Sequence, residues 1–369
     1  MKHSLNSDFR QIFSNKVFHL PIMWDNKDFY KNLKKLFEQY EDYIKRYNNR
    51  YYEFISDNFM LLDRVKKINR LILKVVADYL NGFPSEAFKK FKKIMEILEE
   101  TPLKTYEKTV FDYFNYVDPL HLYRITTVND IIPYDRTRVF HTPYNLRSKI
   151  STNRYSIAGY PSLYLGTSLE LCNNEINYNP HEKFGLAARF QLERNFEVNQ
   201  TEIKVIDLAI KPQDFFIERN IYYSQVNKKN TRIVSIEILD KEKVKLAYLI
   251  WYPLIASCSY IRVNKKDPFA VEYIIPQMLM QWVRMQMDKE QRNNNLLVGI
   301  RYFSCASIKS SDMGFNYVFP SSGNNNNSLY CPILSKSFKL TKPYFIHEYE
   351  NLGDCQDALQ NDSQLDFIK

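Results

Sequence analysis

An arginine, a tyrosine and a glutamate lie within the stretch NRYSIAGYPSLYLGTSLELCNNE, which spans residues 153 to 175. A glycine and a proline predict a turn between Arg154 and Tyr164, and a helix that carries Glu175 is expected to follow. A cation, an aromatic ring and a carboxylate would then meet in one cleft. The alternative stays open and is favoured by the residues alone: Tyr164 packs in a strand, Arg154 is solvated and Glu175 lies on a helix face.

The sequence contains no motif for metal catalysis or for a phosphate-binding loop. The six histidines are dispersed, and none belongs to an HExxH or comparable cluster. Neither a Walker loop nor GxGxxG occurs, and eight glycines offer little material for loops that surround phosphates. A bound nucleotide would therefore depend on arginines, and no metal is expected.

The five cysteines are scattered and form no C-x-x-C pair, which is typical of a protein in a reducing cytoplasm. Cys172 lies one helical turn before Glu175 and is expected to be a buried packing thiol. The N-terminus lacks an apolar signal core, and Lys245 and Pro253 interrupt the most apolar run. The predicted location is cytoplasmic, without a membrane span.

The sequence pattern changes along the chain from helix-forming to mixed. Three-four spacing of apolar residues predicts helices from residue 27 to about residue 100, and short strand-like runs set among helices begin near residue 120. This pattern predicts an α+β fold. The predicted organisation is a helical N-terminal region over 1–115, a catalytic domain over 116–350 and a flexible tail over 351–369.

The net charge of +9 is spread over 369 residues, with much of the excess in lysine-rich stretches near the N-terminus. It is a weak indication of an anionic ligand or partner. Neither a zinc-finger spacing nor a continuous basic arm is present, so the sequence does not favour nucleic acid.

Four ordered motifs between residues 118 and 310 resemble the RES family, which is named for Arg, Glu and Ser. They are LYRI, ending near Arg124; the RYSIAGYPSLYLGTSLELCNNE stretch; WYPLIASCS followed by EYIIPQMLMQWV; and GIRYFS, which contains Ser304. Two residues depart from the family pattern: Asn153 stands where a glycine commonly precedes the arginine, and Ser156 where asparagine is common. The resemblance does not cover the N-terminal hundred residues.

The resemblance implies a mixed β core with flanking helices, similar to ADP-ribosyltransferases, and a toxin-type enzyme that acts on NAD as a substrate. The pyrophosphate of NAD needs cationic donors, and a guanidinium supplies paired charge-assisted hydrogen bonds. Arg124 and Arg154 are the predicted partners, and Tyr155 is either a wall of the pocket or a packing residue. The alternative for Arg124 is a structural arginine that pairs with an acid such as Asp130.

The resemblance also places the predicted catalytic residues. Release of nicotinamide gives the ribose oxocarbenium character, which the carboxylate of Glu175 could stabilise. Tyr164 would stack on the nicotinamide ring, and Ser304 would hydrogen-bond the ribose or a phosphate. Core packing is the alternative for Tyr164, and a structural role at a strand end is the alternative for Ser304.

The predicted function is a toxin or defence effector that cleaves the bond between nicotinamide and ribose. The acceptor of ADP-ribose is left open between water, inorganic phosphate and a protein side chain. An antitoxin or regulatory partner is implied by the resemblance, and whether the N-terminal helices form a homo-oligomer is open. The non-enzymatic alternative is a basic helical interaction module with an inactive RES-like domain.

Overall fold

The computed structural model describes residues 11–48, 61–99, 121–192, 201–212, 242–264, 267–290, 295–321 and 328–368. The chain divides into two compact units. The first contains Met1–Thr109, Ile210–Ser224 and Ile233–Leu279, and the second contains Val110–Ala209, Gln225–Arg232 and Met280–Lys369. The segment Ile233–Leu279 is thus grouped with the N-terminal helices, whereas the sequence placed it in the catalytic domain.

The first unit is helical, as predicted for the N-terminal region. Its helices with full bounds are α1 (Phe29–Asn48), α2 (Leu61–Leu80), α3 (Pro84–Glu99) and α5 (Glu242–Ser257). The apolar stripe of α1 is buried, as three-four spacing predicts for an amphipathic helix. Gly82 has a φ of 85° and turns the chain between α2 and α3.

Aromatic residues build the core of this unit. The Tyr40 hydroxyl donates a hydrogen bond of 2.5 Å to the Leu249 carbonyl oxygen in α5. The rings of Phe18 and Tyr40 each lie 4.7 Å from the Tyr252 ring, centroid to centroid. Buried rings that also place their hydroxyls on backbone acceptors tie α5 to the N-terminal segment.

The described residues of the second unit form one sheet of eight strands. The strands are β1 (His121–Val128), β2 (Ser162–Gly166), β3 (Phe184–Leu192), β4 (Thr201–Asp207), β5 (Asn295–Phe303), β6 (Phe315–Pro320), β7 (Phe338–Leu340) and β8 (Tyr344–Phe345). Their order is β4-β5-β6-β2-β1-β3-β7, with β8 also paired to β3. The pair β4 and β5 is parallel and the others are antiparallel. The prediction of an α+β fold is therefore confirmed.

One face of the sheet packs against helix α4 (Leu169–Ile176) and is called the α4 face here. Tyr123 and Ile125 of β1 belong to its buried cluster together with Leu169 and Cys172 of α4. Successive strand residues point to opposite faces, so Arg124 points away from α4. Three further helices with full bounds in the described part of the chain are α6 (Ile274–Glu290), α7 (Pro332–Ser337) and α8 (Leu352–Asn361).

The C-terminal segment differs from the flexible tail that the sequence predicted. Helix α8 begins at a hydrogen-bonding cap, Asn351, and buries Cys355 and Leu359 in the cluster on the α4 face. The Gln360 side-chain amide donates a hydrogen bond of 2.9 Å to the Tyr123 hydroxyl. Buried apolar side chains and this polar contact hold the segment against β1, which corrects the prediction.

None of the helices among the described residues is both long enough and apolar enough to cross a lipid bilayer.

Candidate functional site

The turn that precedes β2 is closed by the two residues that depart from the family pattern. The Ser156 hydroxyl accepts a hydrogen bond of 2.8 Å from the Asn153 amide and donates one of 2.9 Å to the Asn153 carbonyl. Between them, Arg154 and Tyr155 are buried. Gly159 has a φ of 68°, a conformation that favours glycine. The two hydrogen bonds between Asn153 and Ser156 therefore hold this turn together.

Tyr164 lies in β2 and is half-buried. Its hydroxyl donates a hydrogen bond of 2.7 Å to the Tyr155 carbonyl oxygen, which fastens the turn to the strand. A Cβ at Gly166 would lie 2.8 Å from the Cys172 sulfur of α4, so position 166 faces α4. Tyr164 is two residues earlier in the same strand and therefore shares the α4 face.

Glu175 lies in the last turn of α4, as predicted. The helix begins after Ser168, whose hydroxyl accepts a hydrogen bond of 3.2 Å from the Leu171 amide. Glu175 is exposed, and its Oε1 accepts a hydrogen bond of 2.6 Å from Nδ2 of the buried Asn316 in β6. A hydrogen bond from a buried side-chain amide thus fixes a solvent-accessible carboxylate.

The buried Tyr302 of β5 connects these groups. Its ring lies 4.7 Å from the Tyr155 ring, and it is the register partner of Asn316. Burial raises the pKa of Tyr302 well above its usual value, and the charge of Glu175 and the phenol of Tyr164 raise it further, whereas Arg154 opposes them. The charges of Glu175 and Arg154 and the phenol of Tyr164 thus all act on the pKa of Tyr302.

Ser304 is fully buried just after β5. Its hydroxyl donates a hydrogen bond of 3.0 Å to the Ser310 hydroxyl and accepts one of 3.2 Å from the Ala306 amide. Ser307 contacts the same Ser310 hydroxyl at 3.0 Å. The structure thus places Ser304 inside a serine turn, in the structural arrangement that the sequence kept as the alternative.

Arg124 lies in β1. It points to the face of the sheet opposite α4, where it lines a pocket of about 630 Å³ with Arg138 and His141. Among the described residues no carboxylate pairs with it, and the predicted alternative partner Asp130 is exposed. Arg154 lies in the turn before β2 and is not part of this pocket lining, and the expectation that the two arginines hold one pyrophosphate stays a prediction.

Cys172 has the packing role that the sequence predicted. Its thiol donates a hydrogen bond of 3.2 Å to the Tyr123 carbonyl oxygen. Burial raises the pKa of Cys172 to about 12, with the charge of Glu175 as the next cause. A thiol of this kind remains protonated at neutral pH and is a poor nucleophile.

The described part of the chain holds no group of three or more His, Cys, Asp or Glu side chains placed to bind a metal ion. The expectation that no metal takes part stays a prediction.

Comparisons with known proteins give a similarity to a protein that is named as a toxin. The chain matches no family model and no solved structure. The relative is "Putative toxin YopC" of Bacillus subtilis (strain 168), which is 28% identical over 305 residues, or 81% of this chain and 62% of that protein. The chain thus spans less than two thirds of its relative, and the RES resemblance stays a prediction.

Two members of the site were missed in the sequence. Tyr302 lies within the GIRYFS motif, two residues before Ser304, and the resemblance assigns a role only to the serine of that motif. Asn316 carried no signal, because it is 141 residues from Glu175 and follows no motif. The sequence also contained no indication of the two arginines that contact Tyr160, in the turn before β2. The guanidinium carbon of Arg147 lies 5.4 Å from the Tyr160 ring centroid, and that of Arg284 lies 5.7 Å from it.

Proposed function

We propose that this protein is a toxin or defence effector that cleaves the bond between nicotinamide and ribose in NAD. The observation that carries the proposal is the exposed carboxylate of Glu175, which a hydrogen bond from the buried Asn316 holds in place, while Glu175, Arg154 and Tyr164 all act on the pKa of Tyr302. A carboxylate, a cation and an aromatic ring are the groups that a charged, ribose-bearing substrate with a flat leaving group requires. The toxin name of the relative supports a harmful activity for its similar chain.

The bond that breaks joins C1 of the ribose to the ring nitrogen of nicotinamide. Its electron pair moves to that nitrogen, so neutral nicotinamide leaves and the ribose gains oxocarbenium character. Glu175, exposed at the end of α4, stabilises this positive charge. Water then adds to C1 and loses a proton, which gives ADP-ribose; inorganic phosphate in place of water gives ADP-ribose phosphorylated at that carbon.

Arg154 and Tyr164 serve substrate binding in this proposal. Arg154 is buried beside Tyr302, where its positive charge favours the pyrophosphate. The Tyr164 hydroxyl already donates to the Tyr155 carbonyl, so its half-buried ring is the part available to stack on nicotinamide. Tyr155 and Tyr302 form the wall behind these groups.

An enzyme that depletes NAD harms the cell that makes it. The proposal therefore includes a neutralising protein partner, and a cytoplasmic site of action where NAD is present. Such a partner could block the exposed Glu175. It could instead bind the lysine-rich helices α2 and α3.

The test incubates the purified full chain with NAD, with and without inorganic phosphate, and identifies products by mass. Glu175→Gln is compared with Glu170→Gln, which removes an exposed carboxylate from the same helix. We expect nicotinamide release by the wild type and by Glu170→Gln, and a loss of about 10² to 10⁴-fold in rate for Glu175→Gln.

The mass of the ribosyl product names the acceptor. A parallel incubation of labelled NAD with cell extract detects transfer to protein, which would make the chain an ADP-ribosyltransferase. Wild-type protein that releases no nicotinamide in buffer, phosphate or extract would overturn the proposal.

A further inference from the structure

Helix α2 of the first unit presents a row of positive charges to solvent. Four of its side chains are both exposed and cationic: Lys66, Lys67, Arg70 and Lys74. They recur at three-four spacing on the side of the helix opposite its buried apolar stripe. At a rise of 1.5 Å per residue, the row is about 12 Å long, and it is called the cationic ridge here.

The cationic ridge has no acid of its own. Between Asp63 and Asp78 the sequence of α2 contains no aspartate or glutamate, and Asp78 is paired with Lys90 of α3. No carboxylate among the residues that the structure describes forms an ion pair with the four cations. Like charges one helical turn apart destabilise a helix, so an anionic partner would relieve this repulsion.

The neighbouring helices balance their exposed lysines with acids. In α1 the Lys34 ammonium lies 3.8 Å from the Glu38 carboxylate, and in α3 the Lys89 ammonium lies 2.6 Å from the Glu86 carboxylate. Both pairs have the three-four spacing that stabilises a helix. The unbalanced charge is thus a local property of α2 and does not simply follow from the net charge of the chain.

Exposed apolar side chains lie at the C-terminal end of the same helix. Leu80 is 49% exposed, and Phe83, in the turn that follows α2, is 59% exposed. The Tyr79 ring stacks on the ring of Phe269, with 6.3 Å between the centroids, and Phe269 is 50% exposed. Large apolar residues that gather at a surface mark interaction sites. The cationic ridge therefore ends at an apolar group of side chains.

We propose that the cationic ridge and its apolar end bind an acidic segment of a protein partner. Carboxylates of that segment pair with Lys67, Arg70 and Lys74, and its apolar side chains pack on Leu80 and Phe83. A nucleic acid would match the ridge, but its phosphate backbone has no group that packs on exposed apolar side chains. A lipid surface fits less well, because the apolar stripe of α2 is buried within the protein.

This surface goes beyond the proposed function, because it belongs to the first unit and its occupation consumes no NAD. Fluorescence anisotropy measures binding of the full chain to a labelled synthetic helical peptide that has glutamates at three-four spacing and leucines at one end. We expect the triple variant Lys67→Gln, Arg70→Gln, Lys74→Gln to weaken binding about tenfold or more and to reduce its salt dependence. Phe83→Ser should weaken binding severalfold at every salt concentration. The replaced side chains are exposed, and circular dichroism checks that the variants fold.

A matched control separates the cationic ridge from net charge. The triple variant Lys183→Gln, Lys309→Gln, Lys342→Gln removes three exposed charges outside the first unit and should bind within about twofold of the wild type. The proposal is overturned if the peptide does not bind the wild type, if the two triple variants lose binding equally, or if Phe83→Ser binds normally. It is also overturned if duplex DNA or phosphatidylserine vesicles bind the wild type more tightly than the peptide and lose that binding in the ridge variant.

Discussion

The side-chain amide of Asn316 donates a hydrogen bond of 2.6 Å to the carboxylate of Glu175 from a position 141 residues further along the chain. Asn316 is placed between two register partners, Gly166 in β2 and Tyr302 in β5. The absence of a side chain at position 166 is what lets α4 approach the strand there. A donor fixed in the sheet thus orients an acceptor at the end of a helix.

Replacing Asn316 with aspartate should strongly reduce kcat of the proposed NAD cleavage while the protein still folds. The change keeps the size of the side chain but exchanges the amide donor for a second carboxylate, which repels Glu175. We expect a loss of about 10²-fold or more in kcat, since the carboxylate loses its fixed orientation. Steady-state kinetics of nicotinamide release measures this, with circular dichroism as the folding check.

The matched control for this variant is Asn361→Asp, which makes the same charge change at an exposed position at the end of α8. It should retain wild-type kcat. If Asn316→Asp also retains wild-type kcat, Asn316 does not position the carboxylate.

The sequence predicted local structure well because the signals were local. Ser168 lies immediately before the apolar face of α4, and the strand runs from residue 120 onward contain β-branched and aromatic residues. Helix α8 also had a signal, since Leu352, Cys355 and Leu359 follow helical spacing after Asn351. Its polar composition hid that pattern and led to the prediction of a tail.

The site itself was only partly predictable, because its contacts cross the sheet. The motif placed Arg154, Tyr164 and Glu175 together, but alternation along β1 sends Arg124 to the other face. That outcome depends on which residue of β1 faces α4, and the resemblance did not specify it. Asn316 reaches Glu175 only through the pairing of β6 with β2, which no local pattern announces.

Gly166→Ala should destabilise the protein, because the added Cβ would lie 2.8 Å from the Cys172 sulfur. Overpacking of this kind costs about 1 to 3 kcal/mol in the free energy of unfolding. Cys172→Ala removes the obstructing sulfur, so the double variant should recover part of that loss. Urea unfolding of the four proteins in a double-mutant cycle measures the coupling, and strictly additive effects would contradict this contact.

Tyr164→Phe should lower stability while leaving substrate binding nearly intact. The variant loses the hydrogen bond to the Tyr155 carbonyl, which contributes about 1 kcal/mol to the free energy of unfolding, but keeps the ring. KM for NAD should stay within about twofold of the wild type, whereas Tyr164→Ala, which removes the stacking surface, should raise it. Equal increases of KM in the two variants would show that the hydroxyl contacts the substrate.

His141 should make the protein less stable as the pH falls below neutrality. Burial lowers the pKa of His141 to about 4, and the nearby Arg124 charge also lowers it, whereas the Thr142 carbonyl opposes this shift. The unfolded chain therefore takes up a proton near pH 6.5 while the folded chain does not, so the stabilisation present above pH 6.5 declines steadily toward pH 4.

Urea unfolding of the wild type and of His141→Gln is measured at about pH 7 and about pH 5, in phosphate-free buffer. Because both proteins have the same carboxylates, the difference between them gives the contribution of His141. His141 is fully buried, so the shift is not screened by solvent. We expect the wild type to lose about 2 kcal/mol more than the variant between these two pH values, from 1.36 kcal/mol per pKa unit. Equal losses in the two proteins would mean that the pKa of His141 is not lowered in the fold, so that His141 is protonated beside Arg124 at about pH 5.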